Sequence, residues 1–195
     1  VTAIEKDPRC IAALQPLFEH YPGRFDLLEE DALKISLQQI GAAPRAVVAN
    51  LPYNVGTQLI VDWVQDAAKN GTGVLQQFTV MLQKEVAQRI AARVGDPAYG
   101  RLSVLLQQFC ETHIMFDVPP GAFFPPPKVM SSVLHAIFLE KPREDVPLAA
   151  LERTVASAFN NRRKMLRQSL KPVGGEAICI KAGIDPTLRA ENCDL

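Results

Sequence analysis

The chain has 195 residues, 48% of them hydrophobic and 22% charged, a balance that excludes disorder and fibrous architectures and suits one large domain or one with a small appendage. No apolar run approaches the ~18 residues that a membrane-spanning helix requires. The formal charge is zero, yet the segment from Arg153 to Lys171 holds six basic residues and no acid, so a neutral chain still offers one segment to a polyanion.

Taken in order, the first 140 residues alternate short β-branched runs with helical patterns, the signature of an α/β sheet. VTAIEK reads as a strand, and Asp7-Pro8 as the cap and first residue of a helix running to about Tyr21. FDLLEE is a second strand, ending at Asp31. RAVVAN, ending at Asn50, is a third, and its composition predicts burial on both faces. After the turn Leu51-Pro52-Tyr53-Asn54, a helix from about Thr57 to Lys69 carries Leu59, Ile60, Trp63 and Val64 on one face. QFTVMLQ is a fourth strand, KEVAQRIAAR an amphipathic helix, and Gly95–Gly100 a loop. A helix near Leu102–Cys110 and strands near His113–Val118 and Val129–Leu139 complete this part. EKPREDVP, polar and holding two prolines, reads as a linker. Beyond it come a helix over Leu148–Leu170, another over Gly175–Ala182, and a third capped by Asp185 before Pro186.

Ligands of open parallel sheets bind at the carboxyl ends of the strands, where Glu5, Asp31 and Asn50 fall here. A carboxylate closing one strand suits the two hydroxyls of a ribose, and a second on the next strand can take an adenine amine. Any α/β domain has polar strand ends, so neither acid is specific alone. Asn50-Leu51-Pro52-Tyr53 is sharper. An amide, an apolar residue, a proline and an aromatic directly after a buried strand make a rigid turn with two outward carbonyls. The exocyclic amine of adenine is a poor nucleophile because its lone pair is delocalised into the ring. Accepting its two N–H protons on the Asn50 side chain and a turn carbonyl would localise that pair and aim it at a strong electrophile such as a sulfonium methyl. Tyr53 would stack on the base, which must leave its helix to be reached. In Phe123-Phe124-Pro125-Pro126-Pro127-Lys128-Val129, three prolines hold an extended segment that presents an aromatic at low entropic cost. Lying between two strands, it reads as a loop fixed against a site rather than a linker.

NLPYNVGTQLI, LQKEVAQRI, DPAYGRLSVLLQ, FFPPPKVMSSV, AFNNRRKMLRQSL and GIDPTLRAEN together resemble the small-subunit ribosomal RNA adenine N6,N6-dimethyltransferases, in the family order and over nearly the whole chain. The resemblance implies S-adenosylmethionine as cofactor and two adjacent adenosines near the 3′ end of that RNA as substrate. It implies that Glu5 binds the cofactor ribose, that Asp31 with Ala32 holds the cofactor adenine, and that Asn50 borders the cofactor while Asn50, Leu51, Pro52 and Tyr53 form the catalytic turn. Phe123 matches the aromatic that packs on the target base beside Tyr53, whereas Phe124 falls on a variable position. The family's glycine-rich cofactor loop and first strand are absent, and the C-terminal helix is short, so the chain is read as a fragment.

The fold expected is therefore α/β, a Rossmann-like class I methyltransferase domain lacking its first strand over residues 1–140, a linker over 141–147, and a small all-helical RNA-binding domain over 148–195. In the predicted helix Leu148–Leu170, Arg163, Lys164, Arg167 and Lys171 fall within an arc of ~100° and are read as RNA phosphate contacts. Arg162 projects into the apolar stripe as an internally paired or snorkelling residue, and Lys84, Arg89, Arg93 and Arg101 are candidates for a second basic patch. Cys10, Cys110, Cys179 and Cys193 form no C-x-x-C pair, which argues against a metal site or disulfide framework and for a reducing, cytoplasmic location. VTAIEKDPRC has no signal-peptide pattern. The expected partner is small-subunit rRNA in the immature small subunit, with no membrane, bound by a monomer. Two rivals remain: adenine methylation of large-subunit rRNA or DNA, and a mainly binding role in ribosome assembly.

Overall fold

The computed structural model describes residues 1–194, which fall into two compact units, Val1–Ala43 and Pro44–Leu195. In the first unit, β1 (Thr2–Ile4) and β2 (Asp26–Leu28) form a parallel pair, with Thr2 opposite Asp26 and Ile4 opposite Leu28. A parallel pair needs a crossover, and α1 (Pro8–His20) supplies it. The Asp7 side chain accepts from Arg9 N–H at the start of α1, and Pro8 takes the first position, where its missing N–H costs nothing. The second strand stops at Leu28. Asp31, expected to end it, instead caps a 3-10 turn over Ala32–Lys34 by accepting from Leu33 N–H at 3.1 Å.

The second unit is built on a four-stranded sheet of order β3-β4-β6-β5: β3 (Ala46–Asn50), β4 (Gln77–Gln83), β5 (Cys110–Val118) and β6 (Ser131–Phe138). The β3–β4 pair is parallel and joined through α2 (Gly56–Asn70), while β6 runs antiparallel to both β4 and β5. β4 alternates strictly, burying Phe78, Val80 and Leu82. Against it α2 buries Leu59, Ile60, Trp63, Val64 and Ala67. The ring of Phe78 lies 5.6 Å from that of Trp63 and 6.1 Å from that of Phe138, and each such buried side chain contributes roughly 1.5–3 kcal/mol. The observed β3 departs from the sequence reading. It is an edge strand among the described residues, and of its two faces the one that carries Ala46, Val48 and Asn50 is exposed, Val48 to 83%. Composition reports a preference for burial, but burial needs a neighbour.

α3 (Lys84–Ala91) and α4 (Arg101–Phe109) follow the expected positions, and α5 (Leu148–Phe159) opens the helical part. The segment 141–147 is fastened: Arg143 N–H and Nε donate to the carbonyls of Gln108 and Gln107, and Gln108 Nε2 donates to Glu144 O. α5 packs Leu151, Val155 and Phe159 against Ala92, Tyr99 and Val104, with the Tyr99 and Phe159 rings 5.9 Å apart and edge to face.

The single helix predicted over Leu148–Leu170 is two. α5 ends at Phe159, a turn spans the two asparagines and the basic run, and α6 (Leu166–Ser169) begins afresh. Asn160 and Asn161 are poor helix residues, because their amides compete for local backbone groups. The backbone N–H groups that would have continued the helix are also taken elsewhere. Met165 forms an antiparallel bridge with Arg189, Leu166 N–H donates to Leu188 O at 2.7 Å, and Arg167 N–H to Pro186 O at 3.0 Å. The same bridge prevents the helix expected after Asp185. The Asp185 carboxylate takes Thr187 N–H and Oγ1 in a turn, and only a 3-10 turn, Ala190–Asn192, follows. α7 (Gly175–Lys181) closes a small core of Ala158, Leu166, Leu170, Cys179 and Ala190.

Tyr99 is fully buried, and its hydroxyl has no hydrogen-bond partner among the described residues. Burial also pushes its phenol pKa up, which keeps the group neutral. Tyr99→Phe removes the unsatisfied hydroxyl without opening a large cavity. Thermal unfolding should show a gain of about 1 kcal/mol, or roughly 2–4 °C; a fall in melting temperature would mean that the hydroxyl has a partner.

Candidate functional site

Glu5 follows β1 directly. One of its carboxylate oxygens, Oε1, accepts from Lys6 N–H and Asp7 N–H, both at 2.8 Å, so the side chain is held against the turn that leaves the strand. Asp31 receives Leu33 N–H on Oδ1 and the Lys6 ammonium on Oδ2 at 2.9 Å. The Lys6 bond first, and the backbone bond second, hold the Asp31 carboxyl below the usual aspartate range. Two carboxylates thus stand beyond adjacent parallel strands of the first unit, with Ala32 beside one of them. Carboxylates so placed are acceptors for hydroxyl and amine donors.

In the second unit Asn50 ends β3, exposed, and no hydrogen bond engages its side chain among the described residues. Leu51 is buried, its N–H donates to Met81 O at 3.1 Å, and this pins the turn to β4. The turn is expected to carry two outward carbonyls, and that of Pro52 is not one of them. It accepts Gly56 N–H at 2.8 Å and Val55 N–H at 3.2 Å, two of the orphan donors at the start of α2. The Leu51 carbonyl receives no hydrogen bond among the described residues. The turn therefore offers two acceptors on successive residues, Asn50 Oδ1 and Leu51 O. Gly56 suits this close fold-back: a Cβ there would lie 3.1 Å from Leu51 Cβ, tight enough to push that side chain aside by a few tenths of an ångström.

Tyr53 is 37% exposed, and its hydroxyl lies 2.6 Å from Ser131 Oγ at the start of β6. Phe123 sits half-buried at the end of a short 3-10 turn, Pro120–Ala122, and the proline segment runs from it into β6. Phe124 is fully exposed. The turn after β3 and the aromatic loop before β6 are thus joined at Ser131. Sequence reasoning passed over that serine. The available signal was a pair of serines, Ser131-Ser132, at the buried start of an otherwise apolar strand.

The four basic residues do not share one helix face. Arg163 and Lys164 lie in the turn after α5, Arg167 on α6, and Lys171 at the start of the 3-10 turn Lys171–Val173. All four are exposed, and Arg163, Lys164 and Lys171 have no carboxylate within 4.0 Å among the described residues. Arg167 acts electrostatically on Asp185, whose carboxyl is held low chiefly by the Thr187 bonds. Arg162 is internally paired, 3.8 Å from Glu191, and with Arg89 and Arg101 it lines a cleft of about 170 Å³ floored by Phe159. Lys84 belongs to a different cluster. It donates to Asp117 at 2.6 Å, and Ser132 Oγ donates to the other Asp117 oxygen at 2.6 Å. No helix among the described residues is long and apolar enough to cross a membrane, and none of them group into a three-residue metal cluster.

Against this geometry stand the comparisons with known proteins. A family model described as ribosomal RNA adenine dimethylase matches residues 1–195. Ribosomal RNA small subunit methyltransferase A of Sinorhizobium fredii is 50% identical over 193 residues, covering 98% of this chain and 64% of that protein. The protein of the same name from Rhizobium meliloti is 51% identical over 191 residues, covering 98% and 69%. The chain therefore spans about two thirds of the length of these relatives. Among solved structures, a dimethyladenosine transferase from Plasmodium falciparum shares the fold with a TM-score of 0.77 at 24% identity, covering all of this chain and 77% of that one. The 23S rRNA methyltransferase ErmE matches with a TM-score of 0.67 at 27% identity, covering 96% and 74%.

The Asp117 cluster yields a pH dependence. The Lys84 and Ser132 bonds lower the Asp117 pKa, so its ionised form is favoured by folding. That contribution is fully present above the ordinary aspartate value of about 3.9 and is lost as the pH falls below it. The melting-temperature gap between the parent and Asp117→Asn should accordingly stay constant above about pH 5 and close below about pH 4. A gap that widened on acidification would contradict the pairing.

Proposed function

The chain belongs to the ribosomal RNA adenine dimethylase family, and from that premise we propose that it transfers methyl groups from S-adenosylmethionine to N6 of adenosine in small-subunit rRNA, twice per base. The observation that carries this reading is the pair of acceptors left unbonded among the described residues, Asn50 Oδ1 and Leu51 O, at a turn whose Pro52 carbonyl is consumed inside the fold. Two acceptors on adjacent residues match the two N–H bonds of an exocyclic amine. They draw the nitrogen lone pair out of the ring and direct it.

Glu5 and Asp31 are assigned to the cofactor. A carboxylate pair accepting from ribose hydroxyls and an adenine amine fits their chemistry, and Asp31 is followed by the small Ala32. When bound, the cofactor supplies an electrophilic methyl on a sulfonium. Everything else is done by this chain. Tyr53 and the half-buried Phe123 hold the flipped base by stacking, a contact worth roughly 1–3 kcal/mol per base. The alkylated N6 is cationic and strongly acidic, so its proton passes to water without a dedicated base. In the second transfer the amine has one N–H left, and a single acceptor is enough to orient it. Arg163, Lys164, Arg167 and Lys171, on the part spanning residues 148–195, take phosphates and position the RNA without reading its bases.

Asn50→Ala in the enzyme should lower methyl incorporation into immature small subunits by ~100-fold or more, because a preorganised acceptor is lost, with S-adenosylmethionine affinity nearly unchanged in a calorimetric titration. Glu5→Ala should do the opposite, weakening the cofactor while the same base is modified. Parallel loss of affinity and rate in Asn50→Ala would refute the division of roles. Subunit association of Asn50→Ala at the parent level, with normal subunit maturation in cells, would favour the rival reading of an assembly factor.

Replacing Arg163, Lys164 and Lys171 together by Ala should weaken RNA binding and flatten its log–log salt dependence by about 2–3, one unit or a little less per phosphate released. Choice of target base should survive. An unchanged salt slope would show that these side chains do not meet phosphate.

A further inference from the structure

We propose that Ser131 is a positioning residue for methyl transfer, fixing the ring of Tyr53 through the 2.6 Å bond between their hydroxyls. The inference rests on the reading of the Asn50–Tyr53 turn as the place where the base is held.

Three observations make Ser131 an anchor. It is fully buried, and a buried hydroxyl needs a partner. It is the first residue of β6 and is paired on both sides, with Gln83 of β4 and Val118 of β5, so its backbone belongs to the interior of the sheet. Its neighbours are also tied: Lys84 N–H donates to Met130 O at 2.9 Å, and Ser132 Oγ donates to Asp117, which Lys84 holds from its other oxygen. The two buried serines divide the work. Ser132 finds its partner within the sheet, whereas Ser131 reaches the turn 78 residues earlier in the chain.

Tyr53 has the complementary need. It sits on an exposed turn, and the Pro52–Gly56 bonds fix its backbone but leave its two side-chain torsions free. A ring hinged only at its base would sweep the space in which a stacked adenine must lie. Bonding the far end of the ring to a residue held by two strands removes that freedom before substrate arrives, and a displacement of even ~1 Å at such a site can cost ~100-fold in rate. Because the Phe123–Met130 segment enters β6 at the same residue, one fixed point references both aromatic walls of the proposed base site.

A double-mutant cycle tests this on the enzyme with immature small subunits as substrate. Ser131→Ala and Tyr53→Phe delete the same bond from opposite ends. Tyr53→Phe does so without touching the buried strand, so a folding defect in Ser131→Ala cannot imitate the result. Each single variant should lose about 5–10-fold in kcat with S-adenosylmethionine affinity unchanged, and the double variant should be no slower than the slower single. Multiplying effects, or either single variant at the parent rate, would overturn the anchoring role. Asn50→Ala in the same series separates the premise from the inference. If it abolishes methylation while the cycle is additive, the turn is the methyl-transfer site and only the anchor is wrong. If it methylates at the parent rate, the premise falls and the anchoring role with it.

Discussion

The structure turns on the two-sided pairing of β4. Parallel β3 on one flank and antiparallel β6 on the other are locked to it in a register that sets Asn50 opposite Met81 and Ser131 opposite Gln83. Two residues along a strand are about 6.7 Å. A parallel neighbour leaves the sheet at the end where an antiparallel neighbour enters it, so the turn after β3 and the loop before β6 are brought to one place by backbone pairing alone. The Tyr53–Ser131 bond is a consequence of that register, and a slip of β6 by one residue against β4 would turn Ser131 to the opposite face. The burial of Leu134, Ala136 and Phe138 along β6 makes such a slip costly, since it would put three core residues in water. Core packing and site geometry are therefore one constraint.

What could be read from the sequence follows from how local each determinant is. QFTVMLQ reads from the sequence with the same bounds as β4, because strict alternation and a helix-forming start at Lys84 are local signals. The Asp7-Pro8 start was equally local. The helix over Leu148–Leu170 was drawn too long because its end is decided at a distance, by a bridge from Met165 to Arg189 that no window around Asn160 contains. For AVVAN, composition indicates what a strand would prefer to contact, and only the surrounding chain decides whether the contact exists. The α/β class and the family were legible because six motifs recur in order, and the model match over residues 1–195 bears them out.

The proposed site was legible in part for the same reason. Asn50 to Tyr53 form a contiguous turn, so their chemistry can be argued from adjacent residue types. Ser131 could not be reached that way, since its partner, Tyr53, lies 78 residues away in the chain. The carbonyl count shows the intermediate case. A proline-stiffened turn predicts outward carbonyls, but which of them remains outward depends on where the next helix begins, and α2 takes the carbonyl of Pro52 and leaves that of Leu51.

Charge is sorted by the same long-range logic. The chain is neutral, and its ion pairs fall where acids are close at hand: Lys6 with Asp31, Arg9 with Asp7, Lys34 with Glu30, Lys84 with Asp117 and Arg162 with Glu191. Exposed pairs of this kind add little stability, about 0–1 kcal/mol each. Their larger effect is on the field outside the protein. Each pairing cancels one positive charge locally, and none cancels Arg163, Lys164 or Lys171. With a screening length near 8 Å in physiological salt, a polyanion approaching the turn after α5 meets Arg163 and Lys164, which no carboxylate pairs among the described residues, rather than the zero of the whole chain. A net charge of zero is thus compatible with a basic face, because it is the placement of the acids, fixed by the fold, that decides where positive potential remains.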